Sequence, residues 1–149
     1  MKCFTGRQEG WTLIEILVAI VVLTVGLLAV GTMQISAIRG NFMGGNTSTA
    51  LSLASQKMED LFNRDFGDGD LIDVNSANNG NLSVIGNVDH EESVSDSGVE
   101  VAVGFYRRIW NIADSESFAG DWPPMKAITV IVTWQGDQHR VALSSMRRP

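Results

Sequence analysis

The sequence predicts an α+β fold: one long N-terminal helix, a membrane-inserting half followed by an amphipathic half, packed on a small antiparallel β-sheet. Three observations predict it. No ionisable side chain occurs from Ile16 to Ile38. Between Thr47 and Phe62, Leu51, Ala54, Met58 and Leu61 recur at helical spacing. Toward the C-terminus, runs of β-branched residues alternate with period two. At 149 residues the chain has room for one globular domain beside such a helix.

The uncharged run is long enough to define what it does. Its residues would make ~35 Å of helix, and a bilayer's hydrocarbon core is ~30 Å thick. A secretory signal peptide would have an apolar region of only ~7–15 residues, ending in small residues for cleavage. Ile35-Ser36-Ala37 fits that pattern poorly. A fully buried soluble helix of this length would need a larger protein around it. Lys2 and Arg7 precede the run and only Arg39 soon follows it. The positive-inside rule then leaves the N-terminus in the cytoplasm and the C-terminal part outside. Glu15 stands at the start of the apolar stretch. An acid costs ~2.5–3.5 kcal/mol at the centre of an inserted helix and less at its edge, so Glu15 is either an interfacial carboxylate or one awaiting a cation from another chain.

The stretch Gly10-Trp11-Thr12-Leu13-Ile14-Glu15-Ile16-Leu17-Val18-Ala19 resembles the class III signal of the type IV prepilin superfamily. That signal is a short basic leader, a glycine, and an apolar helix with Glu at its fifth position. Leu27-Leu28-Ala29-Val30-Gly31, the segment Leu53 to Leu61 and the segment Ile128 to Trp134 are similar to recurring parts of PilV-type minor pilins. Trp11 stands where that family usually has Phe or Met. The resemblance implies a pilin-like fold in three parts: a cleaved leader over residues 1–10, a membrane and filament-core helix over 11–39, and a globular domain over 40–149. It implies a prepilin peptidase that cuts between Gly10 and Trp11 and methylates the new amine of Trp11. Cleavage would remove Lys2, Arg7 and Glu9, leaving a formal charge of −7 where the whole chain has −6, and would remove Cys3. The freed ammonium would lie level with Glu15. In a filament of staggered helices it would pair with Glu15 of a neighbour, fixing register because a shifted neighbour strands both charges.

Past the membrane the helix is expected to reach roughly Asn63, with Lys57 and Asp60 opposite its apolar stripe. Gly40, Gly44 and Gly45 leave its middle open to two readings. Thr32, Ser36, Gly40, Gly44, Ser48 and Ser52, spaced by four, form a ridge of small residues in a continuous helix. Alternatively, Gly44-Gly45-Asn46 is a break, with Asn46 capping a second helix. Gly67 is expected to stop the helix and open a long polar loop to Ser97, with a turn at Asn78-Asn79-Gly80. Four aspartates, Asp65, Asp68, Asp70 and Asp73, cluster there without the bidentate Glu of an EF-hand. They read as a solvated acidic loop, as do Asp89, Glu91, Glu92 and Asp96.

The sheet is expected from Val99 to Phe105, from Arg107-Arg108-Ile109-Trp110, and from a hairpin. The hairpin joins Ile128–Trp134 to Val141 and Leu143 through Gln135-Gly136-Asp137-Gln138. Pro123-Pro124 marks a connecting loop. The aliphatic sheet face needs a cover, and the Leu51–Leu61 face of the helix has the right length.

The composition narrows function. A formal charge of −6 disfavours binding nucleic acid through its phosphates. One cysteine permits no internal disulfide, and His90 and His139 make no zinc site without carboxylates. Ser144, Ser145 and His139 lack the surroundings of a nucleophile elbow. Trp110, Trp122 and Trp134 read as sheet core before they read as a ligand patch. The sequence therefore points to a structural protein, with no enzymatic activity, metal or cofactor. On the resemblance it is a minor pilin of a type IV pilus, held in the inner membrane and later displayed on the pilus. Its partners would be the prepilin peptidase, the inner membrane and other major and minor pilins. A minor pseudopilin of a type II secretion system and a tip adhesin are the alternatives.

Overall fold

Helix α1 runs unbroken from Leu13 to Asn63, 51 residues, so the Gly44-Gly45-Asn46 break does not occur. The computed structural model describes residues 12–114 and 125–149. The chain divides into two compact units, Met1–Met43 and Gly44–Pro149. In the first, the described helical residues are exposed almost throughout, and no residue of the most apolar stretch is buried. Thr24 and Thr32 turn their hydroxyls back to the carbonyls of Val21 and Ala29, each at 2.8 Å. This satisfies the polar atoms locally, as a helix in an apolar medium requires.

In the second unit, α1 buries Ala50, Leu53, Ala54, Lys57, Met58 and Leu61. Those positions recur at three and four residues and form one stripe. Two expectations for this stripe are corrected. Leu51 is 44% exposed, because at about 100° per residue it falls on the margin of the buried arc. Lys57, expected on the polar face, is only 5% exposed. The helix ends at Asn63, as expected, and Gly67 lies in the turn beyond it.

Among the described residues four strands follow in a simple antiparallel meander: β1 (His90–Val94), β2 (Tyr106–Asp114), β3 (Lys126–Trp134) and β4 (His139–Arg147). β2 and β3 pair over their whole length, from Tyr106↔Trp134 to Asp114↔Lys126. The hairpin from β3 to β4 forms as the alternation predicts, pairing Trp134 with His139 across Gln135-Gly136-Asp137-Gln138. Gln135, Gly136 and Asp137 take positive φ of 54°, 65° and 64° to close it. Tyr106, Trp110, Ile112, Ile128, Val130, Val132 and Trp134 build one core with the helix stripe, and Val141 and Leu143 lean on it. Pro123-Pro124 and Trp122 lie outside the described residues.

The sheet departs from expectation at its first strand. Val99 to Phe105 is not a strand; it is the β1–β2 connection, and only Glu100 makes a bridge, to Val94. The place beside β2 is taken by the polar His-Glu-Glu-Ser-Val of β1. Its charges are matched across the ladder: Glu92 faces Arg108, and Glu91 pairs with Arg107. The remaining turn residues must reverse the chain, which consumes the Val99–Phe105 alternation.

The polar stretch after the helix is also more than a loop. It holds two 3₁₀ turns, Gly69–Leu71 and Ser76–Asn78. It then covers the sheet face turned away from the helix. Asn111 donates to the carbonyls of Leu82 and Val84 at 2.8 and 3.0 Å, and Arg140 to that of Ser83 at 3.3 Å. Ile109, Ala113 and Ile131 on that face are fully buried.

Candidate functional site

The apolar half of α1 is the candidate site. Large side chains stand out along its length: Leu13 is 83% exposed, Leu28 72% and Met33 73%. Each would contribute about 1.5–3 kcal/mol if removed from water, so the surface requires lipid or other apolar helices around it. Glu15 lies in the first turn, its N–H donating to Thr12 O at 3.0 Å. A carboxylate there complements the positive end of the helix. Its side chain is exposed and makes no ion pair among the described residues. The geometry is an exposed apolar rod with one acid in its first turn.

Residues 6–31 match the family model of the prokaryotic N-terminal methylation motif. The chain carries a type IV prepilin-like signal. The matched span includes Gly10, Trp11 and Glu15, and ends inside the exposed apolar helix. No curated protein and no solved structure matches the chain. The prepilin signal implies processing by a prepilin peptidase and association with the membrane; it indicates a pilin or pseudopilin-like structural subunit. Gly10 and Trp11 themselves lie outside the described residues.

The globular unit brings together groups that are far apart in the sequence. Asp89, expected in a solvated acidic loop, is instead buried and acts as a hub. Its Oδ1 accepts from the N–H groups of Val74 and Asn75 at 3.0 and 2.6 Å. Its Oδ2 accepts from Ile112 N at 2.7 Å and Asn78 Nδ2 at 3.1 Å. β1 pairs with β2 only as far as Trp110, so Asp89 caps the edge donor that the strand leaves behind. Only spatial closeness reveals this; an aspartate in a polar run carries no such signal.

Lys57 is held similarly. Its Nζ stands 3.8 Å from the centre of the Trp110 ring and 3.6–3.8 Å from carboxylates of Glu92, Asp70 and Asp60. Arg108 donates to Glu92 at 2.6 Å. Trp110 stacks on His90 at 5.2 Å and donates to Asp70 O at 2.9 Å. Trp134 is likewise core, 3% exposed.

Of the four aspartates after the helix, Asp68, Asp70 and Asp73 are engaged by the chain itself, while Asp65 is exposed as expected. Arg64 pairs with Asp60, Asp68 and Asp70, and Asn79 donates to Asp73 at 2.7 Å. The N–H of Asp70, with help from Arg64, holds the Asp68 carboxyl below its ordinary pKa. The hydrogen bond to Asp60 raises Arg64 further above its own. His139 and the serines are not assembled: His139 stacks on Trp134, while Ser144 Oγ lies 2.9 Å from Thr129 Oγ1. Five residues of extended strand put His139 and Ser144 ~17 Å apart, and Ser144 points to the other face.

Proposed function

We propose that this chain is a minor pilin of the PilV type, a structural and assembly subunit of a type IV pilus. The observation that carries the reading is the prepilin-like signal at the head of α1, whose exposed apolar half has Glu15 as its single acid. Prepilin peptidase cuts between Gly10 and Trp11 and methylates the Trp11 amine. The leader over residues 1–10 is lost, residues 11–39 anchor the subunit in the inner membrane and then enter the filament core, and residues 40–149 lie outside. Cleavage creates a cation level with Glu15. In the core of a filament that cation meets Glu15 of an adjacent subunit, in a medium of low effective dielectric. Desolvation offsets much of the attraction, so the pair contributes register more than raw stability.

Deletion of the subunit, scored for piliation and for exoprotein secretion in the same cells, tests the system served. Loss of pili with normal secretion supports the pilus. Normal pili with failed secretion would assign the chain to a type II secretion system. Normal pili and secretion with lost surface attachment would make it a tip adhesin.

A further inference from the structure

The β1–β2 connection presents apolar side chains to solvent where a soluble domain would hide them. Val99 is 62% exposed, Val103 92% and Phe105 51%. A glycine shapes the connection at each end. Gly98 turns at φ +82° against Gln56, where an added Cβ would lie 2.2 Å from the Gln56 side chain. Gly104 crosses the Val94 backbone so closely that a Cβ would meet its carbonyl oxygen at 2.4 Å. The valines between these two close approaches stand outward. Their location is the second observation. Phe105 packs edge-on against Tyr106 at 4.9 Å, and Tyr106 Oη lies 3.5 Å from Asn46, at the point where the chain enters this unit. Asn46 is eight residues past Ile38, the end of the uncharged run. Even fully extended, those residues span at most about 29 Å.

We propose that the Val99–Phe105 tongue is a second membrane contact: in the anchored subunit it dips into the interfacial layer of the outer leaflet. The tether keeps it within reach of the bilayer, and its apolar side chains match the acyl boundary. The segment itself carries Glu100 and no basic residue, so insertion is driven by apolar burial and does not need anionic lipid. The inference rests on the reading of residues 11–39 as a membrane anchor.

The test uses the full chain with Cys3→Ser, reconstituted in phosphatidylcholine vesicles with or without phosphatidylglycerol. Single cysteines at Val103→Cys, Leu23→Cys and Asp65→Cys carry an environment-sensitive fluorophore. Val103 is so exposed that labelling it leaves the fold intact. The expected result is a blue shift and quenching by lipid-borne spin label at 103 and 23, and quenching by aqueous iodide only at 65. The shift at 103 should be the same in both lipid mixtures and disappear with Val101→Asp. A label at 103 quenched only by iodide, while the label at 23 is lipid-quenched, overturns the tongue and leaves the anchor standing. A label at 23 that remains in water removes both. A shift at 103 that grows with protein density without lipid quenching would assign the tongue to a second copy, and one that needs phosphatidylglycerol would replace apolar insertion by charge attraction; either result overturns the proposal.

Discussion

Asp89 shows how one carboxylate organises the globular unit. Its four accepted hydrogen bonds join the connection after the helix, Asn78 and the edge of β2. Asn111 completes the cluster by accepting from Asp89 N at 3.1 Å. Asp89→Ala strands buried N–H donors, each costing about 1–3 kcal/mol, and a total loss of about 3–5 kcal/mol is expected. Asp89→Asn keeps one acceptor oxygen and should cost less. Denaturant melts of the detergent-solubilised chain, followed by tryptophan fluorescence, measure both losses, and an Asp89→Ala chain as stable as the original would contradict the hub. Lys57 is the parallel case among cations. Its stem lies in the apolar stripe while its ammonium meets Trp110 and three carboxylates. A lysine on a helix normally marks the solvent side, so only the sheet packed against it reveals its position.

Among the elements, the 3₁₀ turn at Gly69–Leu71 carries a pH dependence of its own. Asp68 caps it by accepting from Asp70 N at 2.9 Å, and the bond holds the carboxyl below its ordinary pKa. A group whose folded pKa is lowered stabilises fully above its unfolded pKa, and that contribution is lost as pH falls through the folded value. Protection of the Leu71 and Ile72 amides, taken relative to the intrinsic exchange rate at each pH, should therefore hold from neutral pH down to the usual carboxylate range near ~4 and be lost only below it. Asp68→Asn should remove the acid-dependent step; a Asp68 carboxyl titrating above its ordinary value would contradict the cap. The elements also differ in how far the sequence displays them. α1 and β4 announce themselves because each turns one stripe inward with the period of its own geometry, and β3, buried on both faces, because it is a continuous β-branched run. β1 does not: an edge strand of His-Glu-Glu-Ser-Val is held by Arg107 and Arg108, residues sixteen positions away. Val99–Phe105 has the strand period without a strand because the chain must turn there. Glu15, by contrast, is legible from sequence alone, since a lone acid in an uncharged run needs no tertiary context to stand out.

For the whole molecule, an exposed apolar helix joins an acidic globular unit, and the proposed function gives the two parts different surroundings. Removing residues 1–10 would leave a formal charge of −7 and no cysteine on the exported chain. Under the proposed function, Glu15 is the residue at which anchoring and assembly can be separated by experiment. Glu15→Ala removes a charge from the inserted helix, so membrane levels and cleavage should be unchanged or higher. Incorporation should fall, because breaking a buried pair from one side costs ~3–5 kcal/mol and each ~1.4 kcal/mol is tenfold in occupancy. Quantitative blots of sheared pili and inner membrane from the same cells read both quantities, and normal pilus levels would make Glu15 a plain interfacial carboxylate. The central claim, that this chain is a prepilin matured at Gly10, is tested most directly by the intact mass of the protein extracted from membranes with an active prepilin peptidase. The account predicts a chain beginning at Trp11 with one added methyl group on its amine, and full-length chain when the peptidase is absent. Recovery of only the full-length chain in the presence of active peptidase would contradict it.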